Sequence, residues 1–370
     1  MPPKALNQGL PTELPIDQII CGDALEVLKT FPDECVDCIV TSPPYFGLRD
    51  YGITGQYGQE KTLAEYLEKM LAITAELKRA LKPTGTLWWN HGDSYGTKSG
   101  GMEQLLHRTE TQYGAIKYKA GTYGVEQNRD KGVPEKSLLL QNFRLAQRMI
   151  DEQKWILRNV LVWWKPNVMP SSVEDRFTID YEPIFFFTKS KKYWFEQQYE
   201  SYAPTSDVRY RQALRAGRSY TTKAPYKTNT PYAHPKKQDL TGNPTYTGFN
   251  ARYKRGQGSI ASRGDDVDGL VVGGTNPNGR NMRTVMRMPT KPLRIAERIV
   301  DEHIATFPED LIIPFIKAGC PVDGIVLDPF CGSGTTLLAA RNLNRHYIGI
   351  ELSPKYVKLS ERRLAQPKLL

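Results

Sequence analysis

Residues 37–52 read DCIVTSPPYFGLRDYG. A strand-like run through Cys38, Ile39, Val40 and Thr41 stops at two consecutive prolines, with a serine on one side and a tyrosine on the other. Pro43 and Pro44 each fix φ, and Pro44 biases Pro43 away from the helical region. Neither nitrogen can donate a hydrogen bond. The carbonyls of Ser42 and Pro43 are therefore expected to stand outward as acceptors with no competing donors beside them. Acceptors alone suit a substrate that carries an NH2 group. Tyr45 adds a flat face on which a planar ring can stack. This corner asks for an aromatic amine.

A second constellation lies near the other end of the chain, in GIVLDPFCGSGTTLLAARNLNRHYIGIEL, residues 324–352. A strand is expected to end at Asp328, a turn to run through Gly332 and Gly334, and a helix to start near Thr335. Gly334 would let the backbone approach a ligand, and the helix would face that ligand with unpaired N–H groups. A following strand ends at Glu351, where an acid can accept hydrogen bonds from ribose hydroxyls. The G-x-G-x-x-G fingerprint of dinucleotide sites is absent, and a carboxylate at Asp328 would repel a pyrophosphate. A ligand with a ribose, an amine and no phosphate fits better than NAD, and the methionine ammonium of S-adenosylmethionine is such a group.

Three zones must position these residues. Residues 16–195 alternate strand-like runs with helical patterns: strands in IDQIICGDA, CVDCIVTS and TGTLWWN, an amphipathic helix over 62–81, a polar Gly-rich loop over 95–132, a helix over 137–153, and strands in WILRNVLVWWK and YEPIFFFTKS. Residues 196–290 are poor in aliphatics and interleave Tyr with Lys and Arg. Residues 291–370 return to α/β character, with helices expected over 293–305, 308–318, 335–343 and 354–364. Alternating strands and helices imply a mostly parallel sheet covered by helices on both faces.

The chain carries 50 Lys and Arg against 40 Asp and Glu. Residues 201–290 hold 15 of the basic and 5 of the acidic residues, so the remaining 35 and 35 cancel. All the excess charge lies in one quarter of the chain, which implies a polyanionic partner engaged by that region. A polar, proline-broken start and apolar runs no longer than IFFF at 184–187 argue against a secretory signal or a membrane span. Five cysteines suit a reducing cytosol. Cys35 and Cys38 form a C-x-x-C, but Cys38 falls inside a strand and no second pair is near, so no metal is expected. His91 and Asp93 read as a strand-end turn with a capping aspartate rather than a catalytic pair. Trp88, Trp89, Trp163 and Trp164 read as packing residues.

The two constellations resemble motifs of amino-directed DNA methyltransferases. Asp328-Pro-Phe-Cys-Gly-Ser-Gly-Thr-Thr is similar to their cofactor motif and Thr41-Ser-Pro-Pro-Tyr45 to their catalytic motif, in the order of the β arrangement. Further similar stretches are 21–45, 81–95 and 303–320, so the resemblance covers most of the first and third zones. It implies a Rossmann-like methyltransferase fold. Residues 16–195 would be its catalytic half, 196–290 an irregular basic insertion for target recognition, and 291–370 its cofactor-binding half. It implies S-adenosylmethionine as cofactor. Asp328 would serve its amino-acid end, Glu351 its ribose and Asp23 its adenine. Thr41, Phe330, Gly332, Ser333, Gly334 and Thr335 would line it, and His303 and Phe307 would complete its methionine pocket. Ser42, Pro43, Pro44 and Tyr45 would hold the target base. Cys331 stands where a small residue such as alanine is more usual.

The implied partner is double-stranded DNA, with Arg49, Arg252, Lys254 and Arg255 as contacts and a cognate restriction endonuclease as functional counterpart. The implied setting is the cytoplasm of a bacterium or a phage host, at the nucleoid. In the family, serine before Pro-Pro-Tyr goes mostly with N4 of cytosine and aspartate or asparagine with N6 of adenine. Cytosine N4 is therefore the expectation, with adenine N6 the alternative. More distant alternatives are an RNA-directed enzyme or an inactive DNA-binding scaffold.

Overall fold

Runs of β-branched and aromatic residues and amphipathic helices alternate along the chain, and their assembly follows from that alternation. The computed structural model describes residues 14–96, 132–201, 280–290, 294–295, 298–299 and 307–366. The chain divides into two units, residues 1–198 with 283–370, and residues 199–282.

In the first unit, β1 (Gln18–Cys21), α1 (Ala24–Leu28), β2 (Val36–Thr41), α2 (Leu63–Ala80) and β3 (Leu81–Asn90) come first. Then follow α3 (Gln141–Asp151), β4 (Ile156–Trp164) and β5 (Tyr181–Thr188). The second unit contributes β6 (Tyr199–Glu200) and β7 (Arg280–Asn281), an antiparallel pair with an Arg280–Glu200 ion pair at 2.8 Å. Back in the first unit come β8 (Val285–Arg287), β9 (Arg294–Ile295), β10 (Arg298–Ile299), α4 (Glu309–Gly319), β11 (Ile325–Asp328), α5 (Thr335–Asn342), β12 (His346–Glu351) and α6 (Pro354–Leu364).

Eight strands form one sheet in the order β1-β12-β11-β2-β3-β5-β4-β8. Neighbours from β1 to β3 are parallel, β5 runs antiparallel to both β3 and β4, and β8 is parallel to β4. This is the expected Rossmann-like fold. Strands in the middle of such a sheet are covered on both faces, so β2 buries Cys38, Ile39 and Val40 in succession. Ile39, Leu87, Trp89, Phe185 and Phe187 share a core with Leu28 of α1, Leu67 and Ile73 of α2, and Leu145 and Met149 of α3. On the other face Trp88 stacks on Phe186 at 4.0 Å and on Phe315 of α4 at 4.8 Å. Burying each such ring is worth about 2–3 kcal/mol. Trp88, Trp89 and Trp163 are buried as expected, while Trp164 is 37% exposed.

Helix α2 starts where its cap allows. Thr62 Oγ1 accepts the Glu65 N–H at 3.1 Å, and the helix gives way to β3 ahead of Pro83. Two expectations differ in detail. The helix expected over 137–153 spans only 141–151, because Leu140 is left-handed (φ 53°) and Asp93 caps the chain there. The helix expected over 293–305 is not seen in its described residues, since β9 and β10 pair antiparallel, Ile295 opposite Arg298. The loop residues 97–131 and most of the basic zone, 202–279, lie outside the described residues. The sheet already includes Val285–Arg287, ahead of residue 290. No described helix is long and apolar enough to cross a membrane.

Candidate active site

Strand order creates the site before any side chain is considered. β11 is followed by α5 and crosses to β12 on one side. β2 is followed by α2 and crosses to β3 on the other. The connections diverge between β11 and β2, and open α/β sheets hold ligands beyond the carboxyl ends of strands at such a point. Asp328 ends β11 and Thr41 ends β2, and the Thr41 hydroxyl donates to Asp328 Oδ1 at 2.6 Å. The two constellations of the sequence, 287 residues apart, are thus joined by one hydrogen bond.

On the β11 side the site is built from acids and a glycine turn. Asp328 is 2% exposed, and burial pushes its carboxyl up to about 6 against the opposing effect of bonds from Thr336, Thr41 and the Phe330 N–H. Those donors are neutral, so a cation would gain most there. Glu351 accepts the Gly332 N–H at 2.9 Å and the Ser353 N–H at 2.8 Å, and burial raises its carboxyl too. Asp23 caps α1 through the Glu26 N–H at 3.1 Å and accepts the Tyr57 hydroxyl at 2.9 and 3.1 Å. The Tyr57 ring meets Phe330 edge-on at 5.9 Å.

Both turn glycines are left-handed, at φ +51° for Gly332 and +77° for Gly334. Their surroundings differ. Among the described residues a Cβ on Gly332 would meet nothing closer than the Phe330 carbonyl at 4.0 Å, whereas one on Gly334 would strike Ser360 of α6 at 2.9 Å. The open side of the turn is at Gly332, while Gly334 serves the packing of α6. That helix holds the turn from behind. Ser360 donates to the Gly332 carbonyl at 2.7 Å, and buried Arg363 donates to the Ser333 carbonyl, Ser333 Oγ and Thr335 Oγ1 at 2.7, 3.1 and 2.9 Å. The side chains of Ser333 and Thr335 are therefore engaged by α6. Phe307 is half-buried, just before Pro308, the residue that opens α4. His303 lies outside the described residues.

On the β2 side the Pro-Pro corner carries a network of neutral hydroxyls and amides around one carboxylate. Among the described residues no donor bonds the carbonyls of Ser42 or Pro43, whereas the Pro44 carbonyl accepts the Tyr66 hydroxyl at 2.9 Å. Ser42 Oγ and Tyr45 Oη are 3.1 Å apart, and Tyr45 donates to Glu182 Oε2 at 3.0 Å. Burial, then the Glu182 charge, pushes the Tyr45 phenol well above its ordinary value, so it stays protonated. A Cβ on Gly92 would come within 2.7 Å of the Tyr45 ring, so only glycine admits this placement. His91 is fully buried, and burial drops its imidazole to about 3, leaving it neutral. Trp89 Nε1 can only donate, so His91 Nδ1 accepts at 3.3 Å and Nε2–H faces Tyr66 Oη at 3.1 Å. His91 thereby orients the tyrosine that holds Pro44. Asp93 is the expected cap, accepting the Leu140 N–H at 2.8 Å and the Gln141 N–H at 3.3 Å.

Arg49 is half-buried in the segment between the corner and α2, where its carbonyl accepts from Gln56 and Gln59 at 3.1 and 2.7 Å. Arg252, Lys254 and Arg255 lie outside the described residues. Several neighbours of the site were not singled out in the sequence: Tyr57, Tyr66, Asn90, Lys165, Glu182 and Arg363. One signal was available for Glu182, an acid opening the apolar run YEPIFFF. Among the described residues no three His, Cys, Asp or Glu side chains are grouped to hold a metal.

One buried and two half-buried acids, a turn open at Gly332 and two aromatic rings suit a nucleoside bearing hydroxyls and an ammonium, and the donor set fits S-adenosylmethionine. Known proteins agree. A sequence model of the DNA methylase family, comprising N6 and N4 methyltransferases, matches residues 36–362. The type II methyltransferase M.XycI of Xanthomonas campestris pv. cyanopsidis is 36% identical over 343 residues, 93% of this chain and 86% of its own. The type II methyltransferase M.Cfr9I of Citrobacter freundii is 34% identical over 359 residues, 97% of this chain and 91% of its own. Among solved structures, the cytosine-N4-specific PvuII DNA methyltransferase shares the fold at a TM-score of 0.51 and 20% identity, covering 95% of this chain and 87% of that one. The chain belongs to the DNA methylase family of N6 and N4 methyltransferases, whose cofactor is S-adenosylmethionine.

Proposed function

We propose that the protein methylates the N4 amine of a cytosine flipped out of double-stranded DNA. The observation that carries this reading is Ser42, a hydroxyl beside two carbonyls that lack described donors, one residue from the Thr41–Asp328 bond. When bound, the cofactor supplies a methyl group on a positively charged sulfur. Asp328 would pair with its ammonium, Glu351 and Asp23 with its ribose and adenine, and the turn at Gly332 would pass against it. The Ser42 hydroxyl and the Pro43 carbonyl would accept from the target amine.

An exocyclic amine is a poor nucleophile because its lone pair is delocalised into the ring. Acceptors on its N–H bonds favour a pyramidal nitrogen with a usable lone pair. Holding it beside the methyl carbon supplies much of the remaining rate. A covalent enzyme intermediate is not needed. Flipping the base out of the stack costs a few kcal/mol, which phosphate contacts from the basic 196–290 zone would offset, with affinity falling steeply as salt rises.

The test is incubation of purified protein with unmethylated bacterial DNA and labelled S-adenosylmethionine, then digestion and mass spectrometry of the nucleosides. N4-methylcytosine is the expected product. N6-methyladenine would keep the chemistry and correct the base. DNA left unmethylated by protein that binds the cofactor would overturn the reading in favour of another acceptor.

A further inference from the structure

A charged pair beside the catalytic corner belongs to none of the sequence motifs. β5 runs against its neighbours, so its first residues arrive at the edge where the parallel strands end. Glu182 lies there, opposite Trp163 in the ladder, two residues before Ile184 pairs with Asn90. Its Oε1 holds the Lys165 ammonium, and its Oε2 accepts from Tyr45 at 3.0 Å and from Asn90 at 2.9 Å. The Lys165 and Glu182 side chains are only 17% and 19% exposed, and Lys165 Nζ stands 4.3 Å from the Trp163 ring centre.

Counting protons gives this chain a direction. A carboxylate only accepts, and a phenol has a single proton. With that proton on Glu182, Tyr45 Oη has only lone pairs to offer Ser42, 3.1 Å away. The Ser42 proton points to Tyr45, and the remaining Ser42 lone pairs are acceptors. Asn90 Nδ2 adds N–H donors within 3.3 Å of Ser42 and 3.1 Å of Tyr45. Its amide cannot turn over without setting oxygen against the Glu182 carboxylate.

We infer that Glu182, held by Lys165, is a positioning residue for methyl transfer: it makes Ser42 an obligate acceptor toward the target amine and gives the amine's proton an exit. This rests on the reading of Ser42 as the partner of that amine. As the amine nitrogen bonds the methyl carbon, the carbon–sulfur bond breaks and its electron pair stays on sulfur. The nitrogen then yields one proton to Ser42 Oγ, which passes its own to Tyr45 Oη, which passes its own to Glu182 Oε2. Glu182 ends as a carboxylic acid and returns the proton to solvent. The titratable groups around it are Lys165 past β4, Tyr45 past β2 and His91 past β3, whose neutral ring is 5.1 Å from that of Tyr45.

The test compares Glu182→Gln, Tyr45→Phe and their double variant in single-turnover transfer to DNA across pH, with cofactor saturating at every pH so that Asp328 adds no acid limb, and with cofactor affinity by calorimetry and melting temperature on the same samples. Glu182→Gln is expected to slow transfer about a hundredfold, as loss of a general base does, to flatten the acid limb of the pH profile, and to leave cofactor affinity unchanged. The double variant is expected to be no slower than the slower single one, and to lose less melting temperature than the two single losses together. A rate within about twofold of native, losses that multiply as at independent sites, or an intact acid limb would overturn the inference. If Glu182→Gln does not fold, Lys165→Gln decides: its acid limb is expected at higher pH, because a carboxylate stripped of its cation takes up a proton more readily, and an unmoved limb would overturn the inference. Native protein that methylates no DNA would overturn the functional reading itself.

Discussion

The two sides of the switch point are built by different means. On the β11 side, acids at or just past the strand ends and a left-handed turn come from short stretches of chain, and α6 locks them from behind through Ser360 and Arg363. On the β2 side, residues 42, 45, 66, 90, 91, 165 and 182 come together from four strand ends and a helix. One side presents acids and backbone N–H groups, which suit binding. The other presents hydroxyls of fixed direction, which suit a reacting nitrogen. A site that must bind can be carried by one local motif. A site that must aim a proton needs partners from several elements, because each donor must be told where to point.

This contrast is open to direct attack, starting with the largest effect. Ser42→Ala is expected to cut methyl transfer by roughly a hundredfold or more, the scale of losing one preorganised polar group at a reacting atom. Calorimetry should find cofactor affinity unchanged, and a parallel loss of affinity would merge the two sides. Next, Arg363→Met should cost about 3 kcal/mol of stability in denaturant titration, since it orphans the Ser333 carbonyl and two hydroxyls inside the protein. It should weaken cofactor binding more than it slows the transfer step.

The pH dependence separates the sides further. The Asp328 carboxyl, at about 6, must be ionised to pair with an ammonium. Cofactor affinity should therefore rise with pH through about 6, and Asp328→Asn should be weak and flat. His91 behaves in the opposite sense. Its imidazole is at about 3 in the folded protein, so below about 6.5 the unfolded chain takes up a proton that the native state refuses. Stability should fall by about 1.4 kcal/mol per pH unit below that point, and His91→Gln should lessen the slope. Smallest is Thr62→Ala, which removes the side-chain cap of α2 but none of the bonds made by the Tyr66 hydroxyl. It should cost about 1 kcal/mol and leave cofactor affinity and transfer rate alone.

Much of this was legible in the chain. Asp328-Pro-Phe-Cys-Gly-Ser-Gly and Thr41-Ser-Pro-Pro-Tyr45 declare their backbone shapes locally, since proline and glycine fix them whatever surrounds them. The turn at Asp93 could be read the same way, through its bond from the Ser94 N–H, but the helix that it caps 47 residues on could not. Periodicity placed α2 to within a residue of each end, but it failed at residues 293–305, where the described residues pair as two short antiparallel strands.

By itself the sequence determined the alternation of strands and helices, the two motifs, and the kind of ligand each could take. Tertiary structure decided which glycine of the turn is open, because that depends on where α6 packs. It also decided that Thr41 meets Asp328, and that a glutamate opening an apolar strand stands beside Tyr45. The reason is the direction of β5. A single antiparallel strand brings its beginning to the edge where its neighbours end, and no local pattern of residues records which way a strand will run.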